Sequence, residues 1–74
     1  MYKIESDDFD YPHWVNSREE VRGLITGVLI GRGYGLETST RWTEAAMTEL
    51  REGGIATEAA PGSMRIEQVE GEVA

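Results

Sequence analysis

Residues 17–29 leave the fewest options for folding. Ser17-Arg18-Glu19-Glu20 has the spacing of a capping box, in which the serine hydroxyl accepts from the Glu20 amide and the Glu20 carboxylate reaches back to the Ser17 amide. Glu19 and Glu20 also sit where the positive end of a helix dipole would lie. Behind the cap, Val21, Leu24, Ile25, Val28 and Leu29 recur at i, i+3, i+4, i+7 and i+8, which is one face of a helix. Ile25 to Ile30 also reads as a buried strand, but cap and period agree on helix even though Gly27 weakens it by about 0.8–1 kcal/mol relative to alanine. Gly23, Gly27 and Gly31 form a second stripe, suited to close packing of the second helix or the sheet, or to a homodimer. An apolar face of this width must be covered, and a 74-residue chain without cysteine has few elements with which to do so.

Those elements are readable on either side. Met1 to Glu5 alternates, with Tyr2 and Ile4 facing one way and Lys3 and Glu5 the other, as in a half-buried strand. Residues 6–16 read as irregular, with Pro12 holding Tyr11 away from helical dihedrals. The glycines at 31, 33 and 35 end the first helix, one of them at positive φ. A second helix is expected from Ser39 or Thr40 to Glu52, with Trp42, Ala46 and Leu50 in register, Ala45 and Met47 flanking, and Gly53-Gly54 as the stop. Ile55 to Ala59 and Met64 to Gln68 flank Ala60-Pro61-Gly62-Ser63 as a hairpin. Counted outward from that turn, Ala59 faces Met64, Glu58 pairs with Arg65 and Thr57 faces Ile66, with Ile55, Ala59, Met64 and Ile66 on one face. The expected architecture is α+β in the order β-α-α-β-β. It is a small antiparallel sheet of two or three strands with two helices packed on one face, in one domain over residues 1–70 with residues 71–74 frayed.

Chemistry finds little purchase. The absence of cysteine removes thiolate metal sites and cysteine nucleophiles. Asp7, Asp8, Asp10 and His13 crowd together, but a calcium loop started at Asp8 would place Pro12 and His13 at its fifth and sixth positions, where the turn needs glycine. Gly31-x-Gly33-x-Gly35 is one residue short of the dinucleotide-binding spacing and follows a helix, and the only lysine is Lys3. None of Ser6, Ser17, Ser39 and Ser63 has a nucleophile-elbow context, and His13 is the sole histidine. The expectation is a non-enzyme without metal or cofactor. No signal peptide, lipidation signal or membrane-length apolar run is evident, so a cytoplasmic location is expected.

Charge is the most informative quantity. Fourteen acids and seven bases give −7, which disfavours direct binding to nucleic acid. Residues 1–20 sum to −4, residues 21–53 to zero and residues 54–74 to −3. With the two ends side by side in one sheet, their acids would form one negative face. Four of six aromatic residues lie in the first fourteen, and Asp7-Asp8-Phe9-Asp10-Tyr11 alternates carboxylates with rings. Such a segment suits a basic groove, with carboxylates in place of phosphates and rings as anchors. The candidate partner-binding residues are therefore Asp7, Asp8, Phe9, Asp10, Tyr11, Trp14, Glu67 and Glu70. The alternative for the aromatics is that Phe9 and Trp14 close the core while the aspartates solvate the loop.

In size, acidity, lack of cysteine and lack of catalytic groups, the chain resembles small phage or mobile-element inhibitors of the anti-CRISPR or anti-restriction kind, some of which mimic DNA. The resemblance covers the whole chain in composition only and transfers no residue role. It implies a protein–protein interaction with a basic, nucleic-acid-handling protein or complex, in host cytoplasm if the chain is phage-encoded. Residues 40–68 also resemble the tail of a winged-helix module, a helix followed by Gly-Gly-Ile and a wing-like hairpin. That helix carries Glu44, Glu49 and Glu52 against Arg41 and Arg51, so such a scaffold would bind protein rather than DNA. A subunit of a larger assembly is the third reading. No Asp-Ser-Leu attachment site or terminal Gly-Gly points to a carrier role.

Overall fold

The computed structural model describes residues 1–56 and 64–69. The chain runs β1 (Tyr2–Glu5), β2 (His13–Val15), α1 (Arg18–Gly31), α2 (Leu36–Gly53), β3 (Ile55–Ala56) and β4 (Arg65–Gln68). The four strands form one antiparallel sheet in the order β2-β1-β4-β3, so the two ends of the chain pair at its centre. Tyr2, Ile4, Ala56 and Ile66 face the helices and join Val21, Ile25, Leu29, Ala46, Met47, Leu50 and Met64 in one core. The architecture is α+β, with both helices on one face of a small sheet, one strand larger than the sequence reading allowed.

The extra strand is β2, within the stretch read as irregular. Pro12 supplies no ladder donor, but His13, Trp14 and Val15 are residues of strand type and lie against Ile4, Lys3 and Tyr2 respectively. A three-residue edge strand is too short to show a period of its own.

Helix α1 follows its sequence signals closely. Ser17 Oγ accepts from the Glu20 amide at 3.2 Å, and Glu20 Oε1 accepts from the Ser17 and Asn16 amides at 3.1 and 2.8 Å. The cap satisfies three amides that the helix itself cannot. Ser17→Ala should therefore lower stability by about 1 kcal/mol. A urea midpoint equal to that of the parent would show that the cap contributes nothing. At the other end Gly33 takes φ 102°, and the Tyr34 and Gly33 amides donate to Leu29 and Ile30 at 3.1 and 3.0 Å, a Schellman arrangement. Four residues, 32–35, then reverse the chain into α2.

Three expectations need correction. The glycine stripe packs against nothing among the described residues: Gly23, Gly27 and Gly31 are exposed, and a Cβ at any of them would have open space for 4 Å. The helices meet instead through Thr26 and Thr43, whose hydroxyls lie 3.0 Å apart, and through Arg22, which donates to Glu44 at 2.8 Å. Gly27→Ala should accordingly raise stability by about 0.8–1 kcal/mol. A lowered thermal midpoint would contradict the open space seen there.

Helix α2 starts three residues earlier than expected, at Leu36 with Gly35 as N-cap and no side-chain cap. Ser39 and Thr43 are instead buried against the core. The Ser39 amide makes the first helical bond, to Gly35, at 2.9 Å. Serine's preference for caps loses here to the position of the glycine turn. The far end is as expected: Gly54 adopts φ 75° and donates to Leu50 at 2.7 Å.

The hairpin register is shifted by one. Ala56 lies opposite Ile66 and Ile55 opposite Glu67, which turns Ile55 to the outer face. The Gln68 amide donates to the Gly54 carbonyl at 2.8 Å, which ties this register to the end of α2. Thr57, Glu58 and Ala59, whose pairings were expected, lie outside the described residues, as does the tail 71–74. Among the described residues no helix is long and apolar enough to cross a membrane.

Candidate functional site

Five of the candidate residues sit in the loop between β1 and β2, and the loop has an internal scaffold. The Phe9 amide donates to the Ser6 carbonyl at 3.1 Å, closing a turn. Ser6 Oγ accepts from the Asp8 amide at 3.2 Å and lies 2.6 Å from Asp8 Oδ2. Arg32, the C-cap of α1, reaches across to the same carboxylate: its Nε and Nη2 donate to Asp8 Oδ2 at 3.0 and 2.5 Å, and Nη2 donates to Ser6 Oγ at 3.1 Å. The loop is thereby fastened to the turn between the helices.

This clasp gives Asp8 a structural role. The Arg32 guanidinium and the Ser6 hydroxyl hold its carboxyl below the usual carboxylate range. Because the folded-state value lies below the unfolded one of about 3.9, the stabilisation is present above about pH 4 and is lost as pH falls through the lowered value. Asp8→Asn should therefore flatten the acid side of the stability–pH profile. Thermal melts that decline in parallel for variant and parent below about pH 4 would sink that assignment.

Phe9 is also partly structural. It packs against the core and stacks on His13 with ring centroids 4.0 Å apart. Asp7, Asp10 and Tyr11 face solvent, Tyr11 at 78% exposure. Glu5, Ser6, Phe9, Asp10, Tyr11 and Pro12 line an open hollow of about 170 Å³.

Trp14 lies apart from this loop, on the sheet face that the helices leave uncovered, and is 51% exposed. It stands beside Lys3, whose ammonium is 5.7 Å from the indole centre, and the cross-strand row continues through Glu67 to Ile55. Trp14 thus does not close the core. Glu67 is two strands away from it, with Arg65 Nη1 at 3.6 Å. Glu70 lies outside the described residues.

Among the described residues the open side of the sheet carries mixed charge; Glu58, Glu70 and Glu72, which the expected negative face also drew on, lie outside them. On the open side, Lys3 and Arg65 alternate with Glu5 and Glu67, at 3.7 Å for Lys3–Glu5 and 3.6 Å for Arg65–Glu5. In the helices, Arg22 bridges Glu19 and Glu44. Around this site, Asp7 and Asp10 make no ion pair within 4 Å among the described residues, although Arg32 still attracts Asp7 at longer range. The sequence signals passed over Glu5, which borders the loop, and Arg32, which joins the site through tertiary contact. Arg32 is 24 residues from Asp8, and no local spacing marks that pair.

A second exposed apolar group, Ile30, Tyr34 and Leu36, sits at the turn between the helices, with Tyr34 edge-on to Trp42 at 4.8 Å. Among the described residues no three potential ligands converge as a metal site. Two helices, not three, precede the β3–β4 hairpin, so the winged-helix likeness of residues 40–68 lacks its helical bundle among the described residues. No known protein family, curated protein or solved structure matches the chain.

Proposed function

We propose that this chain is an interaction protein that binds and inhibits a basic, nucleic-acid-handling protein or complex, as phage-borne inhibitors of the anti-CRISPR or anti-restriction kind do. The observation that carries the reading is the β1–β2 loop. It is braced from beneath by the Asp8–Arg32 clasp, and it presents Asp7, Asp10 and Tyr11 to solvent. A braced loop loses little conformational freedom on binding, which favours affinity. Exposed carboxylates beside an aromatic ring suit a partner that normally grips phosphates. Trp14 extends the surface across the sheet as a second anchor. On this reading the protein works in the cytoplasm of the cell that holds its target and carries out no reaction.

Capture from host lysate at low and high salt tests it. The expected product is a nucleic-acid-binding protein whose retention falls steeply as salt rises, because exposed charge pairs are screened. Capture of nucleic acid itself, or of no basic protein at any salt, would refute it.

A further inference from the structure

We infer that the hollow at the β1–β2 loop receives a guanidinium group, the head of an arginine on the partner. The inference rests on the proposed binding of a basic protein and names what the loop would grip. The hollow of about 170 Å³ brings two kinds of wall together, the aromatic residues Phe9 and Tyr11 and the carboxylate residues Glu5 and Asp10. A guanidinium matches both. It is flat and weakly hydrated, stacks on ring faces, and donates a fork of N–H groups to carboxylate oxygens. An ammonium is compact and strongly hydrated, and gains less from a flat aromatic wall.

The two carboxylates differ in how far they are engaged. Asp10 has no hydrogen-bond or ion-pair partner among the described residues. Glu5 is ion-paired with Lys3 and Arg65 at 3.7 and 3.6 Å, so it is a shared acceptor and Asp10 the open one. The same loop already holds one guanidinium, that of Arg32, through Asp8 and Ser6 on its inner side. The hollow sets the carboxylate residues Glu5 and Asp10 beside two aromatic residues.

The test uses the full chain, labelled with nitrogen-15 and titrated with N-acetyl-arginine methylamide and, separately, with N-acetyl-lysine methylamide. Saturable shifts confined to residues 5–12, with millimolar affinity and a preference for arginine of about fivefold or more, are expected. Asp10→Asn and Tyr11→Ala, both at exposed positions, should each weaken arginine binding about fivefold while leaving the rest of the spectrum in place. Three results would each overturn the inference: shifts spread over surface carboxylates such as Glu37 and Glu52, equal binding of the lysine analogue, or unchanged binding by both variants. No partner is present in this titration. Failure here leaves lysate capture standing, and arginine binding without capture of a basic protein refutes the partner and leaves the hollow's preference intact.

Discussion

Leu29→Ala is expected to lower the unfolding free energy by about 3 kcal/mol, within the range of about 2–5 kcal/mol for truncating a buried leucine. The side chain is fully buried, on the last turn of α1. Its carbonyl also accepts from the Tyr34 amide, so the side chain anchors the segment whose backbone closes the helix. A chain of 74 residues has a total stability of only about 4–11 kcal/mol, so one methyl-lined void removes much of it. The thermal midpoint should fall by roughly 12–24 °C. Leu24→Ala, at a position only partly buried, should cost clearly less. Equal losses for the two variants in urea titrations would contradict the placement of the core.

Trp14→Ala is expected to weaken capture of the basic partner by about thirtyfold, the equivalent of about 2 kcal/mol for an aromatic anchor. The paired change Asp7→Asn with Asp10→Asn should act differently, slowing association and reducing its dependence on salt. Asp8 is left intact in that variant because its Oδ2 holds the loop to Arg32. All three changes lie at exposed positions, where stability should move by no more than about 0.5 kcal/mol for the aspartates. Surface binding kinetics checks both effects. If Trp14→Ala binds as the parent does, the open sheet face is not part of the contact. If the double asparagine variant keeps the parent's salt dependence, the loop is not.

Much of the fold was legible in sequence wherever a local rule had no competitor. The capping box at Ser17, the stripe from Val21 to Leu29, the alternation at Tyr2 and Ile4 and the stop at Gly54 all act within one or two turns of chain. Errors arose where two local rules competed. Ser39 satisfied a cap rule that Gly35 took over, and the Pro61-Gly62 turn suggested a register that differs by one from the pairing tied to Gly54. The glycines at 23, 27 and 31 showed that a face of α1 was narrow, but not whether anything lay against it. For the candidate site the sequence supplied its members and not their duties. Asp7, Asp8 and Asp10 look alike in a row, yet one is consumed by an internal ion pair and two remain open.

By itself, the sequence determined the α+β class, both helices, the pairing of the chain ends in one sheet and the concentration of acid outside residues 21–53, because periodicity, caps and local charge are short-range properties. Only the tertiary structure decided which acids of the described residues are matched by a cation. Antiparallel pairing sets Lys3 and Arg65 among Glu5 and Glu67 on the open sheet, and the turn after α1 carries Arg32 onto Asp8. Which carboxylates are neutralised depends on which distant cations the fold brings within a few ångströms, since Coulomb attraction follows distance in space rather than along the chain.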